Sequence, residues 1–322
     1  MGTSAELIRA LAVLAEPPAP EHAAIARALG LGTPPSGAAF TEIFAFQLYP
    51  YASVYLGPEG MLGGPARDRV AGFWRAVGQT PPAEPDHLCA LLGLYAGLCA
   101  AEDAASGTAG VDGRSGAPGA GEVGPAAEAV LLRRARRTLL HEHVMSWAPL
   151  LLARVREVSG GFYGAWAAML ERVLDEELAR VGRPDGLPAH LVEAPGLPDP
   201  RRTGGEAFVA GLLAPVRAGV VLTRADLAAL ARSLDLGLRL GERRYVVLHL
   251  LAQDARGVLD ALARLAGAQA EAHEARATVL GPVAAWWADR ARTTAALLES
   301  LAKDVDEGWT QEMDRASGAP RE

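Results

Sequence analysis

Isoleucine occurs in this chain of 322 residues only at Ile8, Ile25 and Ile43, and threonine is sparse. A sequence so short of strand-favouring residues has little from which to build a sheet. Its long segments are filled instead with Ala, Leu, Arg and Glu, all good helix formers, so the fold expected is all-α. The length allows one large domain or two smaller ones. A net charge of -7 and a pI near 5.6 give no chain-wide attraction to phosphate backbones or anionic lipid, so nucleic acid is not expected as a partner.

Helical periodicity and its interruptions divide the chain. Ser4 to Leu29 reads as two short helices separated by "EPPAPEH", and "FTEIFAFQLY", Phe40 to Tyr49, as a buried helix. It leads into "YPYASVYLGPEGMLGG", which gathers tyrosines, prolines and glycines as a recognition loop for an extended segment would, or as a buried connection would. After a helix over Ala66 to Val77, the residues Leu88, Leu91, Leu92, Tyr95 and Leu98 recur at helical spacing. Pro85 and Asp86 suit the first turn and cap of that helix, which is expected to end by Glu102. Residues 103–128 are low-complexity Gly, Ala and Ser and are expected to form a disordered insert. Ala129 to Val158 and Gly161 to Val181 carry strong helical patterns. Residues 1–182 therefore read as one helical domain, 183–204 as a Pro/Gly-rich linker and 205–322 as a further helical unit.

The amino-terminal apolar stretch includes Glu6 and Arg9 and has no basic leader, and no charge-free run is long enough for a membrane span. Cys89 and Cys99 fall almost three turns apart on one helix, too far for a disulfide. A cytoplasmic, reduced protein is expected.

Few residues propose chemistry. In "HEH", His141 and His143 would point about 200° apart on a helix, which suits no shared metal ion, and Met145 breaks the HExxH pattern. Arg133, Arg136 and Arg137 read as a solvated helix face. "GLG" at Gly30 to Gly32 lacks the third glycine of a dinucleotide loop, and neither a phosphate loop nor a GxSxG elbow is present. Asp86 and His87 remain as a candidate acid/base pair, or as a helix cap beside a passenger histidine.

"YPYASVYLG", followed by "EPDHL" at the head of an apolar helix and then by "LLHEHVMSW" after a variable gap, resembles the TorD family of molybdoenzyme maturation chaperones, with its DmsD-like and NarJ-like relatives. The resemblance covers roughly Phe40 to Val181. It implies a TorD-like helical bundle, here with an additional C-terminal helical unit. It also implies a cytoplasmic, client-specific chaperone, not an enzyme. Such a chaperone binds the twin-arginine signal region, or the apo form, of a molybdopterin oxidoreductase catalytic subunit and assists cofactor insertion before export or assembly. Pro50, Tyr51 and Ser53 match one element of the family and Glu84, Pro85, Asp86 and His87 another, implying a shared peptide site that Tyr55 would join. Some relatives bind a guanine nucleotide or the molybdopterin guanine cofactor; no cofactor of the chain's own is assigned. The residues by themselves leave two alternatives, a helical enzyme using Asp86 and His87 and a purely structural helical scaffold.

Overall fold

The computed structural model describes residues 4–111, 124–183 and 186–305, and among these the regular structure is helical. The chain divides into two compact units. Met1–Ile43, Pro50–Ala52 and Arg67–Arg183 form the first; Phe44–Tyr49, Ser53–Ala66 and Pro184–Glu322 form the second.

In the first unit the helices Ser4–Val13, Leu88–Val111 and Gly161–Val181 pack through their apolar faces. Leu88, Leu91, Leu92 and Tyr95 are wholly buried, as their spacing requires. A buried leucine contributes roughly 1.5–3 kcal/mol relative to an exposed one, so this face is a substantial source of the unit's stability. The span Leu88–Ser106 is long and apolar enough to cross a membrane by length and composition, yet 56% of it is buried in the protein, as in a core helix. Trp166 donates its indole N–H to the Leu11 carbonyl at 2.9 Å. Glu177, though buried, accepts hydrogen bonds from Tyr95, Ser4 and Arg180, which satisfies a carboxylate that burial alone would disfavour.

Several boundaries differ from those expected. The Leu88 helix runs past Glu102 to Val111, and Pro125–Thr138 is also helical. The expected disordered insert is thus helical at both ends, because alanine sustains a helix without an apolar stripe. Residues 112–123 lie outside the described residues. The pattern from Ala129 to Val158 is interrupted by a π-helical turn at Leu139–Val144, where the Met145 N–H reaches the Leu140 carbonyl at 2.7 Å.

The expected linker is also a packed segment. From residue 186 onward it carries the short helices Ala189–Val192 and Pro200–Thr203, with His190, Leu191 and Pro200 buried. Arg290 and Arg217 donate to the carbonyls of Ala194 and Gly196. Two stretches of the expected first domain, Phe44–Tyr49 and Ser53–Ala66, belong to the second unit. There the Gln47 side chain accepts from the Ala225 N–H, the Pro58 carbonyl accepts from Arg217, and Gly60 sits against Leu213 and Ala214. Those contacts join residues more than a hundred positions apart, which local periodicity does not register.

The core of the second unit lies between Ala255–Glu274, Pro282–Lys303 and the helices Gly205–Leu212, Arg224–Ser233 and Arg243–Gln253. Thr223 and Asp226 form a capping box at the start of one helix. Asp254 ends the Arg243–Gln253 helix and caps the next, its carboxylate accepting the Gly257 N–H at 2.9 Å. The irregular stretch from Ala218 to Leu222 is threaded through this core. Its backbone is satisfied by side chains: Gln269 accepts from the Val221 N–H and donates to the Val221 carbonyl, and Thr294 donates to the Ala218 carbonyl.

Candidate functional site: an acidic, aromatic corner of the first unit

The segment around Tyr51 meets the start of the Leu88 helix through an isolated antiparallel β-bridge between Tyr51 and His87. The Ala52 N–H donates to the Asp86 carbonyl at 3.0 Å, and the Leu88 N–H to the Pro50 carbonyl at 2.8 Å. This pairing fixes the register of two stretches that the sequence separates by more than thirty residues. It is braced by Trp74, which donates to the Pro85 carbonyl at 3.2 Å, and by Arg67, which donates to the Ala83 carbonyl at 3.0 Å. Pro50, Pro85, Asp86 and His87 are buried in consequence, while Glu84 is exposed and Tyr51 half-buried.

Side chains complete the corner. The Tyr51 hydroxyl donates to Glu84 Oε2 at 2.8 Å, and its ring meets the His87 imidazole edge to face, with centroids 4.8 Å apart. His87 Nδ1 accepts the Cys89 N–H at 3.2 Å. The imidazole therefore caps the Leu88 helix, a part expected of Pro85 and Asp86, and its neutral tautomer carries the proton on Nε2. Exposed Glu16 lies close by and accepts a hydrogen bond from the Cys89 thiol.

Electrostatically the corner is negative. Burial raises the Tyr51 phenol above its ordinary pKa, and the hydrogen bond to Glu84 and the charges of Glu84, Asp86 and Glu16 push it further. Burial lowers His87, against the opposing pull of Glu16, Glu84 and Asp86. Cys89 is pushed up to about 12 by burial, by its hydrogen bond to Glu16 and by the Glu16 charge, so this thiol is not a nucleophile at neutral pH. Sequence reasoning had missed Glu16 and Trp74. Glu16 lies outside the quoted motifs, and only folding brings it beside them.

The remaining residues proposed for the peptide site sort differently. Ser53 and Tyr55 belong to the second unit, where both are buried. Ser53 Oγ accepts the Gly63 N–H at 3.2 Å and so closes the loop between them. Asp86, only 2% exposed, is not a surface carboxylate. Its alternative pairing with His87 in acid/base chemistry is unsupported by the geometry, because the Nδ1 lone pair is taken by the Cys89 amide.

The other polar motifs also have structural partners. His141 donates through Nε2 to the Gly182 carbonyl at 2.9 Å, whereas the His143 ring packs on Phe73 with centroids 5.0 Å apart. Among the described residues no group of three or more His, Cys, Asp or Glu side chains is arranged to hold a metal ion. Of the arginine run, Arg133 and Arg137 are exposed as expected of a solvated face, whereas Arg136 is largely covered; Arg133 and Arg136 both pair with buried Glu102, and Arg137 donates to the Arg183 carbonyl. Gly30, at φ 71°, ends the His22–Ala28 helix, with the Leu31 N–H returning to the Ala26 carbonyl.

Residues 37–153 match the family model described as nitrate reductase delta subunit. No curated protein and no solved structure matches the chain. The matched span holds Tyr51, the Glu84–His87 stretch and the π-helical turn, and it excludes Glu16 and the whole chain after residue 153. The family comprises non-catalytic chaperones whose partners are molybdoenzyme catalytic subunits. Over residues 37–153, about a third of the chain, the protein is thus similar to the nitrate reductase delta subunit family, the TorD/NarJ-like chaperones of molybdoenzyme maturation.

Proposed function

We propose that this protein is a cytoplasmic, client-specific chaperone that binds the twin-arginine signal region, or the apo form, of a molybdopterin oxidoreductase catalytic subunit and assists cofactor insertion before export or assembly. The observation that carries the reading is the pair of exposed carboxylates, Glu16 and Glu84, set around the Tyr51 phenol and the His87 ring. A twin-arginine leader presents two guanidiniums beside an apolar stretch. Two carboxylates next to aromatic surface complement it, because charge-assisted hydrogen bonds and cation–π contact act together on arginine. Glu84 uses Oε2 for Tyr51, which leaves Oε1 for a guanidinium. Pro50, Pro85 and Asp86 hold the register behind that surface, and His87 orients Tyr51.

The test is calorimetric titration of the full chain with a synthetic twin-arginine leader. Binding is expected, and it should disappear when both leader arginines are replaced by glutamine. Equal binding of the two peptides would sink the proposal.

A further inference from the structure

The helix Pro125–Thr138 of the first unit has an outward face that the leader-binding reading does not use. Its inward side is fixed by buried Ala129 and by Arg136, which pairs with buried Glu102. On the opposite side, at helical spacing, stand Val130, Leu131, Arg134 and Arg137. Val130 is 61% and Leu131 57% exposed, and both arginines are exposed with them. Among the described residues Arg134 is in no ion pair. The stretch reads "VLLRRARR", paired arginines directly after an apolar run.

Arginines beside apolar side chains are the chemistry that the corner around Tyr51 complements. Exposed Glu84 accepts the Tyr51 hydroxyl through Oε2 at 2.8 Å and keeps Oε1 for a guanidinium, and the Tyr51 ring, edge to face on His87, offers aromatic surface. Within one chain the two surfaces are held apart. The corner sits at the amino-terminal end of the helix Leu88–Val111, whereas the arginine helix is pinned to the same helix at Glu102. At about 1.5 Å per residue, Leu88 and Glu102 are separated by about 21 Å of helix, well beyond the reach of an arginine side chain. Val130, Leu131 and Arg134 can therefore meet such a corner only on another copy.

We propose that the outward face of Pro125–Thr138 docks into the Tyr51–Glu84 corner of a second copy of this chain, so that the free protein shields its own leader site. The inference rests on the leader-binding reading of that corner. Two copies related by a two-fold axis make the contact twice, each giving its arginines to the other's corner. Burial of Val130 and Leu131 adds an apolar contribution to the charge-assisted hydrogen bonds between Arg134 and Glu84. A client leader presents the same groups as "VLLRRARR", so it competes for the corner and separates the copies.

Sedimentation velocity on the full chain over a concentration series tests the contact. The wild-type chain should form a dimer that a synthetic twin-arginine leader dissociates. Arg134→Glu and Glu84→Arg, both at exposed positions, should each weaken the dimer by about tenfold or more. Mixing the two variants should restore a heterodimer, since one of its contacts is charge-reversed and the other is that of the wild type. A wild-type chain that stays monomeric, Arg134→Glu dimerising as tightly as wild type, variants that stay apart when mixed, or a dimer that persists with leader bound would overturn the proposal. Leader titration of the Arg134→Glu chain reads the corner alone. Its failure to bind counts against the leader reading, whereas binding beside a monomeric wild type counts against the self-contact only.

Discussion

His87 Nδ1 accepts the backbone N–H of Cys89 at 3.2 Å, so the imidazole of the "EPDH" element is the amino-terminal cap of the helix that carries the first unit's core. Removing a side-chain cap costs about 1 kcal/mol, so His87→Ala should lower the melting temperature measurably. His87→Asn should restore much of the loss, since its side-chain oxygen can accept the same N–H. Equal destabilisation by both variants would show that ring packing on Tyr51, and not the cap, is the larger contribution.

Peptide affinity should separate the surface residues from the supporting ones. Tyr51→Ala removes an aromatic anchor and should cost roughly 2 kcal/mol of binding, about thirtyfold in affinity. Glu84→Gln and Glu16→Gln should each weaken the leader, and the loss should shrink as salt is raised, because screening already weakens an exposed pair. Asp86→Ala is expected to act on stability instead, since losing a buried polar group's interactions costs about 1–3 kcal/mol. Thermal melts alongside calorimetry check this division. An Asp86→Ala protein with wild-type stability and lost binding would reverse it.

The ion cluster at Glu102 permits a double-mutant cycle. Glu102→Leu strands Arg136, whose side chain is only 17% exposed, and should cost about 1–3 kcal/mol. Adding Arg136→Met removes the stranded charge and should recover much of that loss in denaturant unfolding. Strict additivity of the two substitutions would mean that they do not interact.

In the second unit, Gly219→Ala should be strongly destabilising. Gly219 has φ +70°, and a Cβ there would lie 2.3 Å from the Ala291 nitrogen, so both the backbone and the packing reject a side chain. Gln269→Leu should cost about 2 kcal/mol or more by leaving the N–H and C=O of Val221 without partners in the core. Near-native melting of either variant would contradict this description of the threaded segment.

Acid should weaken the fold in a defined window. Burial lowers His273 to about 4 from its ordinary 6.5, although its Nε2–H donates to the Gly219 carbonyl, and burial lowers His87 as well. Above pH 6.5 both rings are neutral folded and unfolded, and their contribution to stability is complete. As the pH falls from 6.5 toward 4, the unfolded chain takes up a proton at His273 that the folded chain refuses, and stability declines. His273→Gln should flatten that decline in a series of melts across the window. A slope identical to wild type would exclude His273 as a source.

The helical class and the buried face from Leu88 to Leu98 were legible in the residues alone, because β-branched scarcity and 3.6-residue periodicity act within a few turns. The sequence also drew "YPYASVYLG" and "EPDHL" together through a resemblance, and folding joins Tyr51 to His87 by a β-bridge. Tertiary structure alone decided which carboxylates are accessible. Asp86 and Glu84 are two residues apart in the chain, yet one is buried behind the bridge and the other accepts the Tyr51 hydroxyl at the surface. It likewise brought Glu16 to the same corner, and assigned Phe44–Tyr49 and Ser53–Ala66 to the second unit. Local propensity reports the conformation of a segment and which of its faces is apolar. It says nothing of which distant backbone group a carbonyl or guanidinium will meet, and those meetings set the burial, charge and partners on which the site depends.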